Sequence, residues 1–343
     1  MKAVVQHGFG GLEVLSYDDV PDPTITPRDV LVRTGATALN RLDILQREGP
    51  PLLPGFSLPH IAGMDVAGTV VAIGDEVDSL GVGDRVVLNP SLRCGTCDRC
   101  LRGDDGLCGA VRVIGATSPG GYAELCVVPA DHAYKLPAGI SFEHAATVPT
   151  VYSTAWHALV AVAQLRIGET LLVHGAGSGV SIAAIQIAKR CGARVIVTSR
   201  FDRKLELATQ FGADAVVNIA SQDLAVACRE ITDGEGVDAA FDHVGPALFQ
   251  QTILALRPRG RLVFCGSTTG REATFDLPYA YHFGISLLGS DPYGTEEFGK
   301  MLEFYWESKF DPIIDSRFPL CDAAAAQARM ESDEIVGKVL LLP

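Results

Sequence analysis

Four cysteines fall within one short stretch, Cys94, Cys97, Cys100 and Cys108 in CGTCDRCLRGDDGLC, at successive gaps of two, two and seven residues. Four thiolates on one loop meet the tetrahedral, soft-ligand demand of zinc. A shell filled by protein ligands leaves no position for water or substrate, so such a centre holds a loop rather than reacts. Two disulfides or an iron–sulfur cluster are the alternatives. The wide last gap and the lack of a following proline depart from a ferredoxin run. One structural zinc per chain is expected.

A second stretch, VHGAGSGVSIAAIQIAK, carries Gly175, Gly177 and Gly179 between an apolar strand and an amphipathic helix. Glycines there let the backbone approach a pyrophosphate, whose charge sits against the helix N-terminus. The expected contacts are Gly175, Gly177, Ser178, Gly179 and Val180, with Ser181 at the last small position. The next strand ends VIVTSR, where an enzyme selective for NAD places Asp or Glu on the ribose hydroxyls. Here Ser199 and Arg200 are followed by Arg203 and Lys204, with Asp202 the single acid among them. Cations without a repelling carboxylate suit a 2′-phosphate, and NADPH is the expected cofactor. The alternative is a set of solvated charges at a helix start.

These residues need elements to hold them. KAVVQ, DVLVRTGATAL, AGTVVAIG, DRVVL and AELCVV read as short strands of an all-β or α+β unit. From ETLLVHGAG to GRLVFCGS, apolar strands alternate with helices, which predicts a parallel, doubly wound α/β sheet. A helix is expected around Glu296–Trp306, and VGKVLLLP reads as a strand returning to the first unit.

A chain of 343 residues accommodates two cores. Its formal charge of −13 argues against nucleic acid or an anionic membrane as the main partner. No apolar run reaches the ~18 residues of a membrane helix, and MKAVVQHGFG lacks the apolar core of a signal peptide. Cys126, Cys191, Cys228, Cys265 and Cys321 are scattered and odd in number, which suits free thiols in a reducing compartment. A cytoplasmic protein acting on a small molecule is expected.

GMDVAGTVVAIGDEV, GDRVV, the cysteine loop, the glycine turn and VGKVLL, in that order, resemble the medium-chain dehydrogenase/reductase superfamily, the zinc-type alcohol dehydrogenase and quinone oxidoreductase group. The resemblance covers essentially the whole chain. It implies a GroES-like β-rich catalytic domain over residues 1–148, a Rossmann domain over 149–285, and a return over 286–343. It also implies that the four cysteines hold the family's structural zinc, and that SLLGS lies at the edge through which relatives form a homodimer or homotetramer.

The family's catalytic zinc ligands are not matched. Asn40 stands in the cysteine position, Met64 in that of the histidine and Thr150 in that of the third ligand, while Leu42 replaces the hydroxyl that relays the alcohol proton. An amide, a thioether and a hydroxyl make a poor zinc site. Without a Lewis acid, a conjugated acceptor is the easier hydride target, since its charge spreads and a few hydrogen-bond donors suffice. The expected activity is NADPH-dependent reduction of quinones, enones or similar alkenes. Asn40, Thr150 and Tyr152 are the candidate donors and Asp43 an orienting group. For the cofactor the resemblance adds Thr154, His243, Val244, Gly266, Ser267, Gly289 and Ser290. Two alternatives stand beside this reading: an alcohol or aldehyde dehydrogenase whose zinc is recruited through His60 and Asp65 or Asp43, and an NADPH-binding protein without turnover.

Overall fold

Burial alternates along Asp29–Ala38 as far as Ala36, and Thr37 and Ala38 are then both buried. A strand of this kind lays one face on a core and ends inside the protein. It is the centre of a seven-stranded sheet in the computed structural model, which describes residues 1–51 and 53–343. The sheet runs Ile314–Pro319, Lys338–Leu342, Asp29–Ala38, Asp65–Ile73, Arg85–Leu88 and Ala133–Lys135, with Leu125–Pro129 also paired to Asp29–Ala38. Its pairings are antiparallel except that of Ile314–Pro319 with Lys338–Leu342. VGKVLLLP therefore does return to the first unit, and its strand lies between Ile314–Pro319 and Asp29–Ala38. Val30, Val32, Val66, Val70, Val86 and Leu88 form one fully buried cluster against this sheet.

The chain divides into two units, Met1–Thr150 with Tyr293–Pro343, and Val151–Pro292. In the second, six parallel strands lie in the order Ala215–Asn218, Arg194–Ser199, Thr170–His174, Val237–Asp242, Leu256–Phe264, Ser286–Gly289. Numbered along the chain this is 3-2-1-4-5-6, the doubly wound dinucleotide-binding order. Leu171, Leu172 and Val173 are wholly buried, as a central parallel strand covered on both faces requires. The expected limit at residue 285 falls one strand short. Ser286–Gly289 pairs with Arg261–Phe264, because its apolar residues complete the parallel sheet. The helix expected near Glu296–Trp306 spans Thr295–Ser308. Among the described residues no helix is long and apolar enough to cross a membrane.

Candidate active site and metal centre

Three neighbouring strands deliver one polar cluster in the first unit. Ala38 is in register with Asp65 on one side and with Leu340 on the other. That register sets Asn40, two residues past Ala38, beside Asp65 and beside Lys338, two residues before Leu340. The Lys338 ammonium donates to the Leu39 carbonyl at 2.7 Å, Asn40 Oδ1 at 2.8 Å and Asp65 Oδ2 at 2.9 Å. An ammonium has three protons, and all three are placed. Asp65 Oδ2 also accepts from Asn40 Nδ2 at 3.0 Å. Asp65 Oδ1 accepts from the Thr150 amide at 2.9 Å and the Thr150 hydroxyl at 2.6 Å. Each carboxylate oxygen thus has two donors, which fills its lone pairs. Asp65 is 0% exposed and Lys338 5%, so this is an ion pair withdrawn from water and hydrogen-bonded throughout.

Asp43 lies in the first turn of the helix Arg41–Glu48, whose N-cap is Asn40. Its Oδ2 accepts from the Asn40 backbone amide at 2.8 Å and from the Tyr122 hydroxyl at 3.1 Å, while Oδ1 is buried with no partner. Burial pushes the Asp43 carboxyl up to about 6, against the lowering effect of the Asn40 amide, Lys338 and Tyr122. The Tyr122 hydroxyl, buried beside this carboxylate, is held well above its ordinary value. Asp43 therefore holds the Asn40 backbone amide and is withdrawn from solvent at 2% exposure.

Asn40 has one amide proton on Asp65 and the other in a 3.5 Å contact with the Ala38 carbonyl, a distance too long for a strong bond. Met64 is buried directly before Asp65, at the end of a turn in which Gly63 has φ 100°; a Cβ on Gly63 would stand 2.8 Å from the Tyr122 nitrogen. His60 points its Nε2 at the Gly115 carbonyl, 2.9 Å away, and its ring lies against Phe56 with centroids 4.7 Å apart. Burial lowers its basicity. Among the described residues, no group of three His, Cys, Asp or Glu that includes His60, Asp43 or Asp65 could share an ion.

The four cysteines do form such a group, their sulfurs all within 4.8 Å of one another. The sulfurs of Cys94 and Cys100 are 3.8 Å apart, Cys97 and Cys100 3.5 Å, Cys97 and Cys108 3.9 Å, and Cys94 and Cys108 3.5 Å. A tetrahedron with metal–sulfur bonds of about 2.3 Å has edges of about 3.8 Å, so the thiols fit a metal of zinc's size. Amide donors from Thr96 and Cys97, the former the larger influence, draw the Cys94 thiol down to about 6, favouring the thiolate a metal needs. All nine cysteines are unpaired as disulfides.

In the second unit, the candidate cofactor residues gather at the carboxyl ends of the parallel strands, where open α/β sheets bind ligands. Gly175 turns the chain with φ 75°, and a Cβ there would meet the His243 ring at 3.3 Å. The helix Gly179–Arg190 starts without a side-chain cap from Ser178, and its first ladder bond runs from Ile182 to Ser178. The amides of Gly179, Val180 and Ser181 thus lie at the open N-terminus, where a pyrophosphate would be received. His243 sits between the first and fourth strands, its Nε2 3.0 Å from the His174 carbonyl and 2.8 Å from Ser181 Oγ. The Val244 amide donates to Asp242 Oδ1 at 2.6 Å. Gly266 passes so close to His243 that a Cβ would lie 2.5 Å from its carbonyl oxygen. Ser267 follows in the same loop, with its Cα close to Gly245. Gly289 ends the edge strand, and the Ser290 amide donates to Phe264 at 2.9 Å.

Ser199 closes the second strand and accepts from the Phe201 amide at 3.1 Å. Arg200 and Lys204 each hold their charge 5.4 Å from the centroid of the Phe201 ring. Asp202 accepts from Asn218 at 2.6 Å. Tyr152 is buried in this unit with its hydroxyl on Gln186, and Thr154 is half-buried on the same helix, Pro149–Trp156. Sequence reasoning missed Lys338, Tyr122 and His174. His174 is buried between the hydroxyls of Thr198 and Thr252, and burial drives its pKa down to about 4. Lys338 had a readable signal: a lysine opening the apolar run VLLL in a buried strand must find a buried partner.

Residues 26–138 match the family model for the alcohol dehydrogenase GroES-like domain, and residues 179–307 that for zinc-binding dehydrogenase. A quinone oxidoreductase of Pseudomonas aeruginosa is 32% identical over 100% of this chain and 99% of its own. An alcohol dehydrogenase of Geobacillus stearothermophilus is 33% identical over 99% of both chains. Among solved structures, an NAD-dependent alcohol dehydrogenase superposes with a TM-score of 0.96 at 40% identity, covering 100% of each chain. Similarity along the whole length, joined to a dinucleotide-binding strand order and its glycine turn, makes this chain a member of the medium-chain dehydrogenase/reductase superfamily and an oxidoreductase.

Proposed function

We propose that the chain is an NADPH-dependent oxidoreductase that transfers hydride to quinones, enones or other activated alkenes without a catalytic metal. The observation that carries this reading is the bonding of Asn40 and Thr150, two of the three positions where relatives of the zinc type would ligate. Both are spent on Asp65, and Asn40 Oδ1 on Lys338. Reduced nicotinamide supplies the hydride when bound. The chain's own part is to receive the cofactor at Gly175–Val180 and to meet the charge that develops on the substrate oxygen. Asn40 is the first candidate for that second task, because its second amide proton is only loosely held by Ala38. Asp43 fixes the backbone from which Asn40 projects. Thr150 and Tyr152 complete the candidate set.

NADPH is supported by Ser199, Arg200 and Lys204 at the end of the second strand and by the engagement of Asp202 with Asn218. The four cysteines are read as the seat of one structural zinc. The open edge strand Ser286–Gly289 supports a homodimer or homotetramer. Steady-state rates with a panel of quinones, enones and simple alcohols, with each nicotinamide cofactor and with and without chelator, test the proposal. Enone or quinone reduction by NADPH that survives chelation is expected. A second reading is favoured by the similarity to the solved NAD-dependent alcohol dehydrogenase. Alcohol oxidation with NAD that chelators abolish would replace the first reading by it.

A further inference from the structure

We infer that His243 is a positioning residue for the dinucleotide site: its Nε2–H ties the start of the helix Gly179–Arg190 to the end of the first parallel strand, and so fixes the glycine turn that joins them. The inference deepens the cofactor part of the reading above. It rests on a dinucleotide bound at that turn, whichever nicotinamide cofactor it is.

Three observations carry it. The first is a triangle of bonds beneath the turn. Ser181 Oγ lies 2.7 Å from the His174 carbonyl, His243 Nε2 2.8 Å from Ser181 Oγ, and His243 Nε2 3.0 Å from the same carbonyl. A carbonyl oxygen has no proton to give, so the ring proton sits on Nε2. Ser181 spends its hydroxyl proton on the shorter contact with that carbonyl and receives the imidazole N–H. The bonds therefore fix one tautomer of His243. Desolvation, the largest influence on the ring, lowers its basicity and favours the neutral form.

The second is what the triangle encloses. His174 ends the strand Thr170–His174, and Ser181 lies in the first turn of the helix. The glycine turn runs between these two anchors. Gly175 passes against the ring, where a Cβ would stand 3.3 Å from His243 Cε1. The backbone of His243 is held from the other side: its carbonyl accepts from Thr268 Oγ1 at 3.0 Å and lies against Gly266.

The third is Ser181 itself. It is wholly buried at the last small position of the turn, where dinucleotide-binding folds use glycine for close helix–strand packing. A hydroxyl placed there needs buried partners, and His174 and His243 supply them. Ser181 and His243 are matched to one another across 62 residues of sequence.

Dissociation constants for NADPH and NADH, read by nicotinamide fluorescence, test the inference. The proteins compared are the unaltered chain, His243→Met, His243→Gln, Ser181→Ala and His243→Met/Ser181→Ala, each checked for fold by circular dichroism. Methionine and glutamine have similar length, and only glutamine carries an N–H. His243→Met should weaken both cofactors by about tenfold, the scale of one lost hydrogen bond, and His243→Gln should recover most of that loss. The double variant should lose less than the product of the two single losses, since each already breaks the shared bond. Nitrogen-15 resonance of the cofactor-free protein, with His243 assigned by its disappearance in His243→Gln, should place the ring proton on Nε2. Unchanged affinity in a folded His243→Met, or a neutral ring protonated on Nδ1, overturns the inference. So does a loss confined to one cofactor, because the pyrophosphate is common to both. If His243→Met does not fold, Ser181→Ala decides: unchanged affinities overturn the inference, and a matching loss for both cofactors supports it. A preference of the unaltered protein for NADH defeats the NADPH reading and leaves this inference standing. Failure to bind either cofactor defeats both.

Discussion

Replacing Asp43 with asparagine should flatten the pH dependence of the first unit's stability. Burial raises the Asp43 carboxyl from 3.8 to about 6. A group whose folded pKa lies above its unfolded value adds stability that is complete below the unfolded value and disappears as pH rises through the folded one. The window is therefore about pH 4 to 7, with the folded state losing ground on the alkaline side. A shift of about two units corresponds to on the order of 3 kcal/mol. The charges facing the carboxyl do not reverse this sign: Lys338 lowers the pKa, Asp65 raises it, and desolvation outweighs both. Asparagine keeps an oxygen for the Asn40 amide and the Tyr122 hydroxyl. Its –NH2 then takes the place of Oδ1, which has no partner, at a cost of about 1–3 kcal/mol that does not vary with pH. The prediction is thus a change of slope, whatever the change of level. Urea titrations from pH 4 to 8, read by hydrogen exchange in the strand Asp65–Ile73, isolate this unit in a chain that need not unfold in one step. Parallel pH profiles for the two proteins would refute the burial argument.

Lys338→Met should lower stability by about 3–5 kcal/mol, or roughly 10 °C in melting temperature, because it strands a buried carboxylate; Asp65→Asn in the same chain should restore much of that loss, and additive losses in the double-mutant cycle would deny the coupling. Cys97→Ser should cut bound zinc from about one per chain towards none and raise hydrogen exchange across residues 94–108, with the parallel sheet unaffected. Arg200→Ala should cost about tenfold in kcat/KM with NADPH and little with NADH, and an equal loss with both cofactors would remove Arg200 from the 2′-phosphate. Asn40→Ala should lower kcat for the best conjugated substrate by about 100-fold, and unchanged turnover of every substrate would end the donor assignment.

Local features were legible in the sequence because their physics is local. The glycine turn announces itself in seventeen consecutive residues, and the cysteine loop in fifteen. Alternation over Asp29–Ala38 and the apolar run of Thr170–His174 were enough to separate a half-covered sheet from one covered on both faces. The Asp65–Lys338 pair was not legible, since its members are 273 residues apart and meet only through the register of three strands. The same limit applies at Ser286–Gly289. A short apolar strand carries no mark of which sheet it joins, and only pairing with Arg261–Phe264 assigns it.

The place of the C-terminal strand in the sheet has a consequence for biosynthesis. Asn40 and Lys338 are separated by 298 residues, so the emerging chain makes Asp65 long before its cation exists. During that interval the first 150 residues carry a sheet whose central strand lacks its partner at Thr37–Ala38 and a carboxylate that resists burial. The parallel sheet in between, whose contacts are made within a contiguous stretch, can form on its own as it is synthesised. Completion of the first unit then waits until Lys338–Leu342 has left the ribosome. A chain cut short before Lys338 should therefore be a target for chaperones and proteases, even though it contains every candidate cofactor residue named above.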